Sequence, residues 1–152
     1  MRVLILSCDP KEDEDLIKLG TTLIEKGHML FVVSPTKPEA LMHWPKIESP
    51  HEMDIPGHGW LPFAVNDLDA TSYLLKRNIH AIVTRQIGHQ LEQTFVHCSN
   101  IRPALVLLNP GEAAIPAFRE RDSRIFNWPR RVSKKQCVET VRQIVDLVAS
   151  RP

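Results

Sequence analysis

Val3-Leu-Ile-Leu-Ser7 and Met29-Leu-Phe-Val-Val-Ser-Pro35 are two apolar runs without polar alternation, and between them Leu16, Ile17, Gly20, Leu23, Ile24 and Gly27 recur at helical spacing. Runs of that kind mark strands covered on both faces, as in parallel sheets. The intervening segment reads as one amphipathic helix. Acidic residues precede it, at the positive end of the helix dipole, and Gly27 stops it. Strand, helix and strand make a β-α-β unit with a right-handed crossover. This unit decides the fold class.

The pattern repeats downstream. Asn66 or Asp67 offers an N-cap ahead of the apolar positions Leu68, Thr71, Leu74 and Leu75, and Ala81-Ile-Val83 follows as a strand. Ile87, Leu91, Phe95 and Cys98 mark a face of the next helix, before Ala104-Leu-Val-Leu-Leu108 and its stop at Asn109-Pro-Gly111. Arg124-Ile-Phe-Asn127 reads as a short fifth strand. Ser133-Lys-Lys-Gln136 is a capping box leading into Val138, Val141, Ile144, Val145 and Val148. Five strands alternating with helices predict an open parallel sheet with helices on both faces. The expected order is the flavodoxin-like 2-1-3-4-5, with a Rossmann-like arrangement as its near relative. The strand at Val3–Ser7 is then expected between the Met29 and Ala81 strands, parallel to both.

Residues 35–62 interrupt this rhythm with six of the twelve prolines and with His43, His51 and His58. Prolines so spaced exclude a long helix, and connections of this length commonly act as lids or binding loops. With Trp44 and Trp60 the insertion also offers aromatic anchors for a partner protein or a second copy of the chain.

The 152 residues form a single α/β domain on this reading, with the insertion as its one irregular segment. Nineteen Lys and Arg stand against 18 Asp and Glu, for a net charge of +1, so bulk attraction to nucleic acid or to a membrane is excluded as the basis of function. Three cysteines at wide spacing form no CxxC pair and no complete disulfide set, which suits a reducing compartment. No apolar run approaches the roughly 20 residues of a membrane helix. Met1-Arg2 leads straight into a strand, so the expected location is the cytoplasm.

Ligands of open parallel sheets bind beyond the carboxyl ends of the strands, where the strand order reverses. Those ends carry Ser7-Cys8-Asp9, Ser34, Thr84-Arg85, Asn109 and Asn127-Trp128. Side chains of this kind are also ordinary turn residues. As a set they suit a hydrogen-bonded, anionic ligand such as a nucleotide or sugar phosphate. Asp9, Ser34, Thr84, Arg85 and Asn109 are its expected polar contacts. Arg130, Arg131, Lys134 and Lys135 surround the start of the last helix, where cations oppose the dipole unless an anion sits among them, so Arg131 and Lys134 join the candidates. Neither GxGxxG nor GxxxxGK[ST] occurs, which argues against ordinary dinucleotide binding.

A second chemistry is open to the acidic run Asp9–Asp15, with five carboxylates in seven residues. Oxygen ligands so crowded could hold a divalent metal, with Asp9, Glu12, Asp13 and His89 as the candidate set and metal-assisted hydrolysis as the activity. The same run is equally a solvated first helical turn.

Two families share features with the N-terminal 35 residues. The opening strand, its helix and Glu25-Lys-Gly-His-Met-Leu-Phe-Val-Val-Ser-Pro35 resemble the start of GT-B glycosyltransferases, which implies a Rossmann-like acceptor-side domain. A full enzyme of that kind needs a second domain, so the resemblance implies a half or a partner subunit. The stretch Asp9-Pro10-Lys11-Glu12-Asp13, with Leu19-Gly20-Thr21 behind it, is similar to the start of PIG-L-type metal-dependent deacetylases. That resemblance implies metal ligation by Asp9 and Glu12, with Lys11 standing where the family places its base. Ile82-Val-Thr84 followed by Gly88-His89 resembles that family's later strand and histidine.

Overall fold

The computed structural model describes residues 1–7, 13–34, 39, 59–61, 79–85, 103–109 and 123–150. Its core is a parallel sheet built from β1 (Arg2–Leu6), β2 (Met29–Val33), β3 (Gly59–Leu61), β4 (Ala81–Thr84), β5 (Ala104–Leu108) and β6 (Ser123–Phe126). Helix α1 (Glu14–Glu25) follows β1, and α2 (Lys134–Ala149) follows β6. The six strands lie in the order β3-β2-β1-β4-β5-β6, every pair parallel. Strand β1 sits between β2 and β4 as its uninterrupted apolar run requires, and the chain reverses direction across the sheet at that point.

The five expected strands keep their expected order, and β3 adds a sixth at the edge beside β2. It comes from within the proline- and histidine-rich insertion, where Gly59, Trp60 and Leu61 pair with Phe31, Val32 and Val33. A three-residue strand that begins on glycine and is followed by Pro62 carries no periodic signal of its own. It becomes a strand because β2 offers an open edge of backbone groups. With β3 included, the order is 3-2-1-4-5-6, that of the doubly wound Rossmann arrangement.

Register sorts the strand residues into two faces. Leu30, Val3, Ala81 and Ala104 form one row, with Val32, Ile5, Val83 and Val106 the next on the same face. Against these rows pack Leu16, Leu19 and Leu23 of α1 and Val141, Ile144 and Leu147 of α2, so both described helices share this side. On the other face Leu4, Phe31, Ile82, Leu105 and Leu107 are each at most 1% exposed, while Ile125 of the outer strand β6 is 40% exposed. Burial on both sides is what strands without alternation require, and each fully buried Leu, Ile or Val contributes about 1.5–3 kcal/mol. The helices expected around Leu68–Leu75 and Ile87–Cys98 lie outside the described residues, as do Cys8, Cys98 and Trp44.

Local chemistry sets the helix ends. Glu14 and Asp15 occupy the first turn of α1, and Gly27, at φ 86°, ends it, with its N–H donating to Ile24 O and that of His28 to Leu23 O. The capping box of α2 is formed: Gln136 N donates to Ser133 Oγ at 3.2 Å, and Ser133 N to Gln136 Oε1 at 3.0 Å. Cys137 is buried on the inner face of α2. Among the described residues no helix is long and apolar enough to cross a membrane.

Candidate functional site

The strand ends are first stitched to one another. Ser7 is fully buried; its N–H donates to Val33 O at 2.9 Å and its Oγ to Asp13 Oδ2 at 2.7 Å. Thr84 Oγ1 donates to Leu6 O at 3.1 Å, while Ser34 Oγ accepts from Trp60 Nε1 at 2.9 Å. The small hydroxyls at the ends of β1, β2 and β4 thus bind, in turn, Asp13 before α1, Trp60 of the insertion and the neighbouring strand β1. Each contact satisfies a polar group at a buried position, where an unmade hydrogen bond costs about 1–3 kcal/mol.

Above this layer lies a charged one. Arg85, the residue after β4, donates from Nη2 to Asp15 Oδ1 at 2.7 Å, and its Nε stands 3.5 Å from Asp13 Oδ1. That Nε is buried without a hydrogen-bond partner. Asn109, after β5, adopts φ 49°, a left-handed turn that asparagine tolerates better than most residues. The turn brings its N–H to Phe126 O at 2.8 Å, its Nδ2 to Asp15 Oδ2 at 2.8 Å and its Oδ1 within 2.7 Å of the Trp128 N–H. Leu16 N supplies Asp15 Oδ1 with another donor at 2.9 Å. Trp128 in turn donates from Nε1 to Thr140 Oγ1 of α2 at 3.0 Å. One continuous chain of polar contacts therefore joins Ser7, Asp13, Arg85, Asp15, Asn109, Trp128 and Thr140. It ties the carboxyl ends of β1, β4, β5 and β6 to the two helices.

Beside this chain opens a cleft of about 280 Å³. Lys18, Arg85 and Arg130 bring three cations to it, Glu14 and Asp15 two carboxylates, and Asn109, Trp128, Pro129 and Val132 complete its described lining. Asp15 has both oxygens committed to Arg85, Leu16 and Asn109. Lys18 and Arg130 are exposed and have no side-chain partner among the described residues. The cleft therefore presents more positive than negative charge to an incoming group.

The expected contacts distribute unevenly around it. Arg85 and Asn109 line the cleft. Ser34 and Thr84 make the stitching contacts above. Lys134 pairs with Glu25 of α1, and Arg131 is exposed; neither is in the described lining. Asp9, Glu12 and His89 lie outside the described residues, and Asp13 is occupied by Ser7 and Arg85. No group of three His, Cys, Asp or Glu among the described residues is placed to hold a metal ion. Lys18 was not singled out from the sequence; the signal that could have found it is its place four and three residues after Glu14 and Asp15, on their helix face. Arg130 belongs to the basic cluster before α2, but only the turn after β6 turns it toward the strand ends. Trp128 carried no signal beyond its place after a strand.

His28 and His80, beside the amino ends of β2 and β4, have pKa values lowered by partial burial and then by the Met1 amine, with Arg2 adding to the effect at His80. Glu139, on the exposed face of α2, is held down to about 2 by hydrogen bonds from Arg142 and then Gln143. No family model matches this chain, and no curated protein or solved structure matches it either.

Proposed function

We propose that this α/β domain is a binding module for a small anionic metabolite, of the nucleotide or sugar phosphate class, held over the carboxyl ends of β4, β5 and β6. The observation that carries the reading is the meeting of Lys18, Arg85 and Arg130 at one cleft whose central carboxylate, Asp15, is already saturated by hydrogen bonds. Arg85 is fixed by Asp15 through Nη2, which leaves Nη1 with no partner among the described residues. A guanidinium already held in place loses less side-chain freedom on binding an anion. Lys18 adds a point charge from α1 and Arg130 a second fork from the turn before α2. The position lies beyond the carboxyl ends of the strands, the side on which open parallel sheets bind ligands, and is displaced toward β5 and β6 from the reversal at β1.

The test is calorimetry at low ionic strength with inorganic phosphate, ribose 5-phosphate and nucleoside monophosphates, on the parent and on Lys18→Ala/Arg130→Ala. A charge-assisted hydrogen bond contributes about 1.5–3 kcal/mol, less at exposed sites, so the double variant should bind about ten-fold more weakly or worse. A ligand at 100 times its Kd should add about 2.7 kcal/mol of stability, which raises Tm by roughly 5–10 °C for a chain of this length. Absence of binding by every phosphate, or equal binding by the double variant, would overturn the proposal.

A further inference from the structure

We infer that the ligand carries a planar ring that stacks on Trp128, which selects a mononucleotide over a sugar phosphate; this rests on the anionic reading of the same cleft. Trp128 is anchored at two points, by its N–H to Asn109 Oδ1 and by its indole Nε1 to Thr140 Oγ1, and Thr140 is itself only 5% exposed. Its one polar side-chain atom is thus occupied inside the protein. The residue packs against the core cluster and stays partly exposed where it lines the cleft. What the side chain can offer a ligand there is π surface.

The neighbours of the ring divide the work. Arg85 and Arg130, donors suited to phosphate oxygens, line the same cleft as Trp128, Pro129 and Val132. A lining that combines an aromatic and apolar side chains with cations suits a molecule that carries both a flat ring and a phosphate. A sugar phosphate would satisfy the cations and leave the indole face wet. The volume of about 280 Å³ lies at the small end of ligand pockets. Stacking on an aromatic side chain tolerates every base, because each has a π-face.

The experiment compares adenosine, guanosine and cytidine 5′-monophosphates with ribose 5-phosphate on the whole chain by calorimetry. At least one nucleotide should bind about five- to 150-fold more tightly than ribose 5-phosphate, the range that one stacked base supplies. Trp128→Leu should collapse that ratio toward one. In a Trp44→Phe/Trp60→Phe chain, where Trp128 is the last of the three tryptophans, nucleotide should quench the emission and ribose 5-phosphate should not. The quenching measurement decides the matter should Trp128→Leu fail to fold. Equal affinity for nucleotide and ribose 5-phosphate, or nucleotide binding without quenching, overturns the stacking platform and leaves the anion site standing. No binding by either class overturns both.

Discussion

Removing Arg85 and Asp15 singly and together measures how firmly the strand ends are held. Arg85→Met deletes the donor to Asp15 and takes away the cation between Asp15 and Asp13, whose side chains are 18% and 8% exposed. Asp15→Ala leaves Arg85 Nη2, Asn109 Nδ2 and Leu16 N without their acceptor. Breaking a fully buried pair on one side costs about 3–5 kcal/mol. Arg85 is 33% exposed, so solvent screens the loss, and about 2–3 kcal/mol is expected for each single variant. The contact common to both variants is the 2.7 Å Nη2–Oδ1 bond, worth about 1.5–3 kcal/mol when charge-assisted and about 1–2 kcal/mol after the same discount. The double variant should therefore be more stable than the sum of the singles predicts, by about 1–2 kcal/mol. Urea unfolding at pH 7 reads this directly, since a slope of roughly 1–3 kcal/mol per molar turns such a coupling into a resolvable midpoint difference. The coupling should survive 1 M NaCl, where exposed pairs are largely screened. A value below about 0.5 kcal/mol would refute the reasoning, because Arg85 and Asp15 would then behave as an ordinary surface pair.

Gly20→Val tests the close approach of α1 to the sheet: a Cβ there stands 2.7 Å from Leu30 Cδ2 and 3.1 Å from Ile5 Cδ1, both methyls in the closed core. Overpacking of this kind costs about 1–3 kcal/mol against a few tenths gained in helix propensity, so Tm should fall by several degrees, with part of the loss recovered by adding Leu30→Ala; a stabilised Gly20→Val chain would show that the helix sits farther out. The second concerns pH. His80 Nδ1 accepts the Arg2 N–H at 2.8 Å, which only the neutral ring can do. Its folded pKa lies below the ordinary 6.5. The unfolded chain therefore binds the proton more readily: this contribution is whole above pH 6.5 and is lost as pH falls through the lowered folded value. His28, lowered in the same direction, adds to the trend. Urea titrations from pH 7.5 to 5 should show His80→Asn with a shallower decline than the parent, since an amide oxygen can accept from Arg2 without titrating; identical slopes would remove His80 from the account.

The fold class was legible because it depends on local pattern. Val3–Ser7, Met29–Val33, Ala81–Val83 and Ala104–Leu108 are apolar without alternation, and only a sheet covered on both faces hides such strands. Their parallel order followed from the helix-length segments between them. The capping box at Ser133 and the stop at Gly27 were legible for the same reason, since each is a contact within a few residues. Strand β3 was not, because three residues beginning at Gly59 hold no period, and the open edge of β2 alone gives them a partner. The site divides along the same line. Arg85 and Asn109 could be named as strand-end residues, since position in the pattern places them beside any ligand of such a sheet. That Arg85 is gripped by Asp15, that Asn109 turns through a left-handed conformation to reach both Asp15 and Trp128, and that Lys18 and Arg130 come to the same cleft depend on contacts across 19 to 94 positions of chain. A sequence records which donors and acceptors exist. Which of them meet is decided by the packing of α1 and α2 on the sheet, because a hydrogen bond forms only where the fold brings its two atoms to about 3 Å.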